Sequence, residues 1–419
     1  MSENVFGSKV KELYKILCQE EWNAYTTGII IAFLSVLIFA WMRPWGAVGA
    51  VRNWGDWILF GMGIDPFEMW LEDGPKAFLG SSGSIIGIGF VGGAFISACL
   101  GNNFAFRIPP VLELFKAVVA GILMGIGAAL AGGCNVGGFY NGIGMLSAHG
   151  FAMFVGLFIG ANIGLRYLYW EMENVSFGSG GAKTIEIPFA VQFIMGLIAI
   201  AAMGYGAYNY AGSDDSYLAK MGGILVIAAG LGYAMQRGRW CMIQGFREPF
   251  MTGDSTLARS VALSVFLVAV GAVVVKAAGL QSSLHYVRGT FGWGAVVGGI
   301  IFGLGAMFAG GCGTGTLWRV GEGQIKLWLV VPFFGVSNSL MTAWFKANEW
   351  EGFGLWQDYL YENDIETLAV WGNKLGKFVY LPHTFLGYGG TLLLIGLVMG
   401  LWYVVVKWNE ETSKFIVEM

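Results

Sequence analysis

Charge is scarce in this chain. Of 419 residues, 24 are Lys or Arg and 27 are Asp or Glu, 12% in all, against the roughly 25% usual in soluble domains. An ordinary soluble protein is thereby excluded. The net charge of −3 and the scatter of the basic residues leave no continuous basic face, so nucleic-acid binding has no support. Cysteine is sparse too: five residues, an odd number, with no Cys-x-x-Cys pair. That pattern rules out a zinc ribbon or thioredoxin-like motif and argues against a disulfide framework. His149, His285 and His383 are far apart and share no ligand spacing, so neither a metal nor a cofactor is expected. The N-terminus lacks the pattern of a cleaved export signal. Residues 1–24 mix Lys9, Lys11 and Lys15 with Glu3, Glu12, Glu20 and Glu21, and the next apolar run is too long for a signal h-region. The segment reads as a cytoplasmic amphipathic lead into a first membrane span.

What the chain has in plenty is apolar residues and glycine. The hydrophobic fraction is 56%, the mean hydropathy is +0.63 and there are 67 glycines. Together these predict an all-α polytopic integral membrane protein with closely packed helices. Crossing about 30 Å of hydrocarbon takes about 20 apolar residues in helix. Ten such runs stand out, near 25–43, 82–101, 112–133, 151–169, 188–209, 218–236, 257–278, 292–311, 327–346 and 385–406. With both termini cytoplasmic, 15 of the 24 Lys and Arg residues fall on the inner side, four of them Arg in 237–259. The two large outer segments, about 44–81 and 347–384, are rich in Trp and acid. They are expected to lie as interfacial caps, with Trp45, Trp54, Trp57, Trp70, Trp350 and Trp356 at headgroup level.

A repeat divides the chain. Gly121 to Cys134 reads GILMGIGAALAGGC and Gly299 to Cys312 reads GIIFGLGAMFAGGC, an offset of 178 with nine of 14 positions identical. Phe106-Arg107-Ile108-Pro109 and Phe246-Arg247-Glu248-Pro249 form a weaker echo. Five crossings between the two Cys invert the second copy, the arrangement of secondary transporters and channels. The first half is then 1–170, the second 188–419, and 171–187 connects them. Gly-Gly-Cys before Asn135 or before Gly313-Thr314 is poor helix material at membrane depth, so each copy is expected to end in a broken helix that lines a cavity. Two such breaks meeting near the midplane offer backbone N–H groups, at Gly133 and Gly311, and a thiol apiece. A small anion suits them.

Cys134 and Cys312 are therefore binding candidates, whereas Cys18 and Cys99 read as buried small hydrophobes. Cys241 lies in Arg237-Gly238-Arg239-Trp240-Cys241, where nearby Arg favours a thiolate, or where the Arg residues merely mark an inner loop. A thiol is polarisable and a weak donor, suited to a sulfur-bearing ligand that must not be held tightly. Asn135 and Thr314 beside the two thiols, and Asn102 and Asn103 after the second span, could hydrogen-bond an anion or cap the breaks. Arg247 and Arg319 could gather anions at an inner mouth or anchor the topology. Glu322 and Gln324 belong to a gate or to a helix start. No span interior carries an evident acidic proton relay.

GGCNVGG at 132–138, GGCGTGT at 310–316 and RGRWCMIQGFR at 237–247 resemble the YeeE/YedE family of sulfur-compound transporters over nearly the whole chain. GNNFAFRIP at 101–109 and GCGTGTLWRVGEGQ at 311–324 are most similar to its YedE branch. The resemblance implies a bacterial inner-membrane protein, not an enzyme, that takes up thiosulfate or a related species along a central path of thiols. It carries over to Cys134, Cys241 and Cys312. It also implies a small cytosolic TusA-like sulfur-carrier partner. The first half has no Arg-Gly-x-x-Cys counterpart to Cys241; Cys99, displaced from that place, is a further binding candidate. Because the YedE branch is associated with selenium metabolism, a selenium compound is the alternative substrate. Two other classes compete. A membrane thiol oxidoreductase requires close Cys partners that form a disulfide, and a soft-metal transporter requires Met or His near each thiol, where only Met242 qualifies.

Overall fold

The computed structural model describes residues 5–70, 74–175, 181–348, 350 and 369–417. A short amphipathic helix, α1 (Val5–Tyr14), leads into α2 (Ala24–Trp41), α3 (Val48–Gly61) and α4 (Ser82–Leu100). A strand, β1 (Ala105–Ile108), precedes α5 (Val111–Ala131), α6 (Asn141–Gly144) and α7 (His149–Asn174). Strand β2 (Lys183–Glu186) opens the next stretch, which holds α8 (Phe189–Ala211), α9 (Ser216–Arg237), α10 (Met242–Met251) and α11 (Thr256–Ala277). The chain continues through α12 (Trp293–Ala309), α13 (Gly313–Gly321), α14 (Ile325–Ala347), the hairpin β3 (Ala369–Asn373) and β4 (Gly376–Val379), and α15 (Gly387–Thr412). Strands β1 and β2 pair antiparallel with Phe106 opposite Ile185, so the connecting segment is stitched back to the first half.

Among the described residues ten helical stretches are long and apolar enough to cross a membrane, at the expected places. Three run past their expected ends: Val111–Gly144, Ser216–Met251 and Trp293–Gly321. In each the chain breaks and resumes as helix, and the resumed turns are themselves largely buried. The breaks after α5 and α12 have the same backbone. Gly132 (φ 79°, ψ 17°) and Gly310 (φ 76°, ψ 15°) end their helices in the left-handed region, which glycine enters without a Cβ penalty. Cys134 and Cys312 then share an extended conformation (φ −72° for both) before a π-helical turn, Asn135–Tyr140, in one copy and α13 in the other.

Helices α5 and α12 lie against each other in opposite directions. Gly298 meets Gly127 and Ala131 while Gly305 meets Ala120 and Met124, so residue numbers rise along one helix as they fall along the other. A Cβ at Gly298 would come within 2.5 Å of Ala131 N. The small residues are therefore what let the two backbones touch. Helix α7 packs on α12, and α14 on α5, completing a central group of four, with α4 and α9 packed together beside it. Helices α8 and α15 present apolar faces outward, for example Ile198 and Leu397, where lipid replaces a protein partner.

The segment after α2 is not an interfacial cap. It folds inward as α3 and packs on α14, where a Cβ at Gly55 would sit 2.2 Å from the Gly335 backbone. Trp45, expected at headgroup level, is buried: its indole donates to Ser35 Oγ at 2.7 Å and stacks on Phe90. Trp54 and Trp57 donate to Ser84 Oγ and Lys76 O. In the other outer segment Trp350 stacks on Phe345, and Trp356 lies outside the described residues.

Candidate functional site

The breaks bring three thiols into one line. Cys134, Cys241 and Cys312 are fully buried, each in the extended residue that precedes a resumed helical segment. Cys241 Sγ and Cys312 Sγ lie 3.6 Å apart. The Gly315 N–H donates to Cys312 Sγ at 3.3 Å and Thr314 Oγ1 stands 3.5 Å from it. Arg319 Nη1 donates to Cys241 Sγ at 3.6 Å, and Nη2 to Gln244 Oε1 at 3.3 Å. Cys134 approaches from the other copy. The Gly313 N–H donates to Asn135 Oδ1 at 3.2 Å, and a Cβ at Gly313 would lie 3.3 Å from Cys134 Sγ. A Cβ at Gly315 would lie 2.6 Å from Cys241 Sγ and 3.2 Å from Cys312 Sγ. Bare backbone at Gly313 thus lies against the Cys134 thiol, and that at Gly315 against the touching Cys241 and Cys312 thiols. Asn135 Nδ2 and Trp318 Nε1 are buried donors without a partner among the described residues, and such groups are uncommon unless something else is meant to accept from them.

Cys134 is also the floor of a cavity of about 550 Å³. Gly132, Gly133 and Gly137 complete its floor, and Arg43, Arg52, Lys76, Arg288 and Lys346 stand on its walls with Asp56. Burial, with Arg288 and Arg52 nearby, pushes the Arg43 guanidinium below its ordinary value. Burial raises the Asp56 carboxyl, against the opposing pull of the Ser339 hydroxyl that donates to it and of Arg52 and Lys346. A chamber with five cationic side chains and one carboxylate among the described residues attracts anions. None of these cations was singled out from sequence. The signal that marks them is their place among the nine basic residues left on the far side of the membrane by the expected topology.

At the opposite end of α13, Glu322 is buried and accepts from Arg107 Nη1 at 2.8 Å and Arg239 Nη1 at 2.9 Å. The remaining sequence candidates lie elsewhere. Cys99 packs with Phe104 and Met195 beside Gly196. Asn102 is exposed in a left-handed turn (φ 56°) and accepts from Gln192 Nε2. Arg247 pairs with Glu248 on α10. Gly311 stands next to Arg319 and the Gly315 backbone, within the thiol cluster. Among the described residues no three His, Cys, Asp or Glu side chains gather as a metal site.

A family model described as Sulphur transport matches residues 2–163 and 237–417. The chain is 27% identical over 393 residues to Probable transporter YedE of Escherichia coli (strain K12), covering 90% of this chain and 92% of that protein. Probable transporter YedE of Salmonella typhimurium (strain LT2) is likewise 27% identical, over 382 residues, 88% of this chain and 87% of the relative. A shorter match, 40% identical over 120 residues, links 28% of this chain to 33% of Thiosulfate transporter TsuA of Escherichia coli (strain K12).

Proposed function

The chain belongs to the sulphur transport family, and from that premise we propose that it carries thiosulfate, or a related small sulfur-containing anion, along the line from Cys134 to Cys312 and Cys241. It is a multi-pass membrane protein and a transporter of a sulfur compound, not an enzyme. The observation that carries the finer reading is the cluster of three buried thiols against the bare backbone of Gly313 and Gly315.

The chemistry comes from the groups present. Arg43, Arg52 and Arg288 concentrate anions over Cys134. Past that floor an anion exchanges water for weak donors: the Cys134 thiol, Asn135 Nδ2, and the Cys312 and Cys241 thiols with Thr314 beside them. Weak, polarisable donors suit a soft anion and release it readily, whereas sulfate, which has only hard oxygens, gains less from them. Gly133 and Gly311 give the anion close access to backbone. The antiparallel contact of α5 with α12 supports an inverted repeat with halves 1–170 and 188–419. In a bacterial inner membrane with both termini cytoplasmic, the cationic cavity then opens outward and the Glu322 end faces the cytoplasm, where a TusA-like carrier would take over the sulfur.

The test is uptake of labelled thiosulfate into vesicles holding the wild type, Cys134→Ser or Cys312→Ser, with sulfate and selenite as competitors. Uptake that resists sulfate and is lost in either inserted Ser variant supports the thiol path. Strong competition by selenite moves the substrate to a selenium compound, and absence of wild-type uptake overturns the reading. One observation favours a thiol oxidoreductase instead, the 3.6 Å approach of Cys241 to Cys312. That reading requires a trappable mixed disulfide at one of the two.

A further inference from the structure

Beyond the thiols, toward the end of α13, two guanidiniums share one carboxylate while a third, Arg319, points back toward the thiols. Glu322 is 1% exposed and holds Arg107 at 2.8 Å and Arg239 at 2.9 Å, with Gln236 Nε2 at 3.5 Å. The same segment pins β1: Ala105 N donates to Glu322 O and Arg107 N to Gly323 O. Arg319, the third guanidinium, has no ion pair among the described residues and is directed at Cys241 Sγ and Gln244. The Trp318 ring lies between the two ends of this group, 4.2 Å from the Arg319 guanidinium carbon and 5.7 Å from that of Arg239. Its N–H, in a residue 1% exposed, has no acceptor among the described residues.

The group is therefore rich in donors and short of negative charge. A buried indole N–H normally finds an acceptor, and one carboxylate shared between Arg107 and Arg239 leaves Arg319 uncompensated. The climb along α13 from its N-cap Cys312 to its C-cap Glu322 is about 15 Å at about 1.5 Å per residue. An anion leaving the thiol pair meets Arg319 first, then the Trp318 edge, then Arg239.

We propose that Arg319, Trp318 and Arg239 form a second anion site on the exit side of the thiols, and that Glu322 is its resident counter-anion. Empty, the site is closed because Glu322 holds Arg239 together with Arg107 and the β1 strap. An arriving anion takes Arg239 and the Trp318 N–H, Glu322 keeps Arg107, and the end of the path loosens. The site takes a small anion whose oxygens or halide accept charge-assisted hydrogen bonds. The proposal rests on the anion path above, so its test needs a probe other than the transported species.

Crystals of the full-length protein soaked in bromide, read by anomalous scattering, provide one. The expected result is a bromide peak between Arg319 and Arg239, stronger in Glu322→Gln, where the competing charge is gone, and weaker in Trp318→Phe, which keeps the ring but not the donor. A peak in the Cys134 cavity with none here, in both the wild type and Glu322→Gln, overturns the site. A peak unchanged by either substitution overturns the roles of Glu322 and Trp318. Independently, thiosulfate flux from the Glu322 side should show a half-saturation about tenfold higher in Trp318→Phe, with entry from the Cys134 side unaltered. If the wild type moves no thiosulfate, the transport reading falls while the bromide result still decides the site.

Discussion

Cys241 Sγ stands 3.6 Å from Cys312 Sγ although 71 positions of chain separate the two residues. The contact exists because two helices break, one before α10 and one before α13, and each break leaves an extended Cys facing the other. Two thiols at that distance can be joined by an oxidant. Diamide removes one hydrogen from each thiol and is itself reduced to the hydrazine. We expect diamide to lower the intact mass of the wild type by two hydrogens and to abolish uptake, with dithiothreitol restoring both. In Cys241→Ser the bridge cannot form. An unchanged free-thiol content in treated wild type would show that the pair is sealed from the path, against the proposal that both thiols line it.

Glycine substitutions probe the same line by volume. Gly315→Ala puts a methyl group 2.6 Å from Cys241 Sγ, closer than packed atoms come, so the thiol must move. Overpacking of this kind costs about 1–3 kcal/mol, which an inserted protein can survive, while the methyl group fills the space beside the two thiols. Uptake should fall at least about tenfold with membrane insertion retained. Gly400→Ala is the contrast: nothing lies within 4 Å of its added Cβ, and it sits inside α15. Helix propensity there favours Ala by up to about 1 kcal/mol, so transport should be unaffected and the melting temperature unchanged or higher. Equal uptake by the two variants would remove the bare backbone at 315 from the mechanism.

Much of this architecture was legible because membrane helices are written in long apolar runs. The ten spans and the Gly-Gly-Cys breaks come from hydropathy and from glycine's access to left-handed backbone at Gly132 and Gly310. The resumed helices beyond the breaks were not legible, since α13 and the π-helical turn after Cys134 are held by tertiary burial rather than by local propensity. Trp45 looked interfacial because indole is common at headgroup depth, but the nearby Ser35 hydroxyl satisfies its N–H in the interior. Arg43 and Arg288 come from separate loops and Lys346 from the last turn of α14, and only the folded chain shows that they share a chamber. Asn102 was selected by residue type and Cys99 as a displaced counterpart of Cys241, and each has a local partner or packing role away from the thiols.

The chamber makes an electrostatic prediction. Arg43 is in contact with Pro44 O and Ser82 Oγ, and it lines the cavity with Arg52 and Arg288. Removing one charge-assisted donor to an anion costs about 1.5–3 kcal/mol, so Arg43→Gln or Arg288→Gln should raise the half-saturation for thiosulfate by at least about tenfold. The maximal rate should change less, because the thiols are intact. Salt should mimic the substitutions, since the Debye length contracts from about 10 Å at 0.1 M to about 3 Å at 1 M. Initial rates across a chloride series check this, and a wild-type half-saturation that ignores salt would exclude the cavity as the collecting site.

Acid should destabilise the protein through His285. Its ring lies against Phe39, and burial together with the neighbouring Lys276, Arg43 and Arg288 charges pushes its pKa from 6.5 down to about 4. The unfolded chain titrates near 6.5, so between pH 6.5 and 4 it binds a proton that the folded protein refuses. Stability rises with pH wherever the unfolded state binds more protons. The contribution of a neutral His285 is therefore full above pH 6.5 and declines toward pH 4, by about 3 kcal/mol over the interval at about 1.4 kcal/mol per unit. Melting temperatures in detergent at pH 7.5 and pH 4.5 should fall further for the wild type than for His285→Gln, whose amide does not titrate. Asp56, whose raised pKa acts in the opposite direction, is present in both proteins and cancels from the comparison. Identical pH slopes in the two would mean that the folded chain accommodates a charged imidazole beside Lys276, contrary to the packing of that loop.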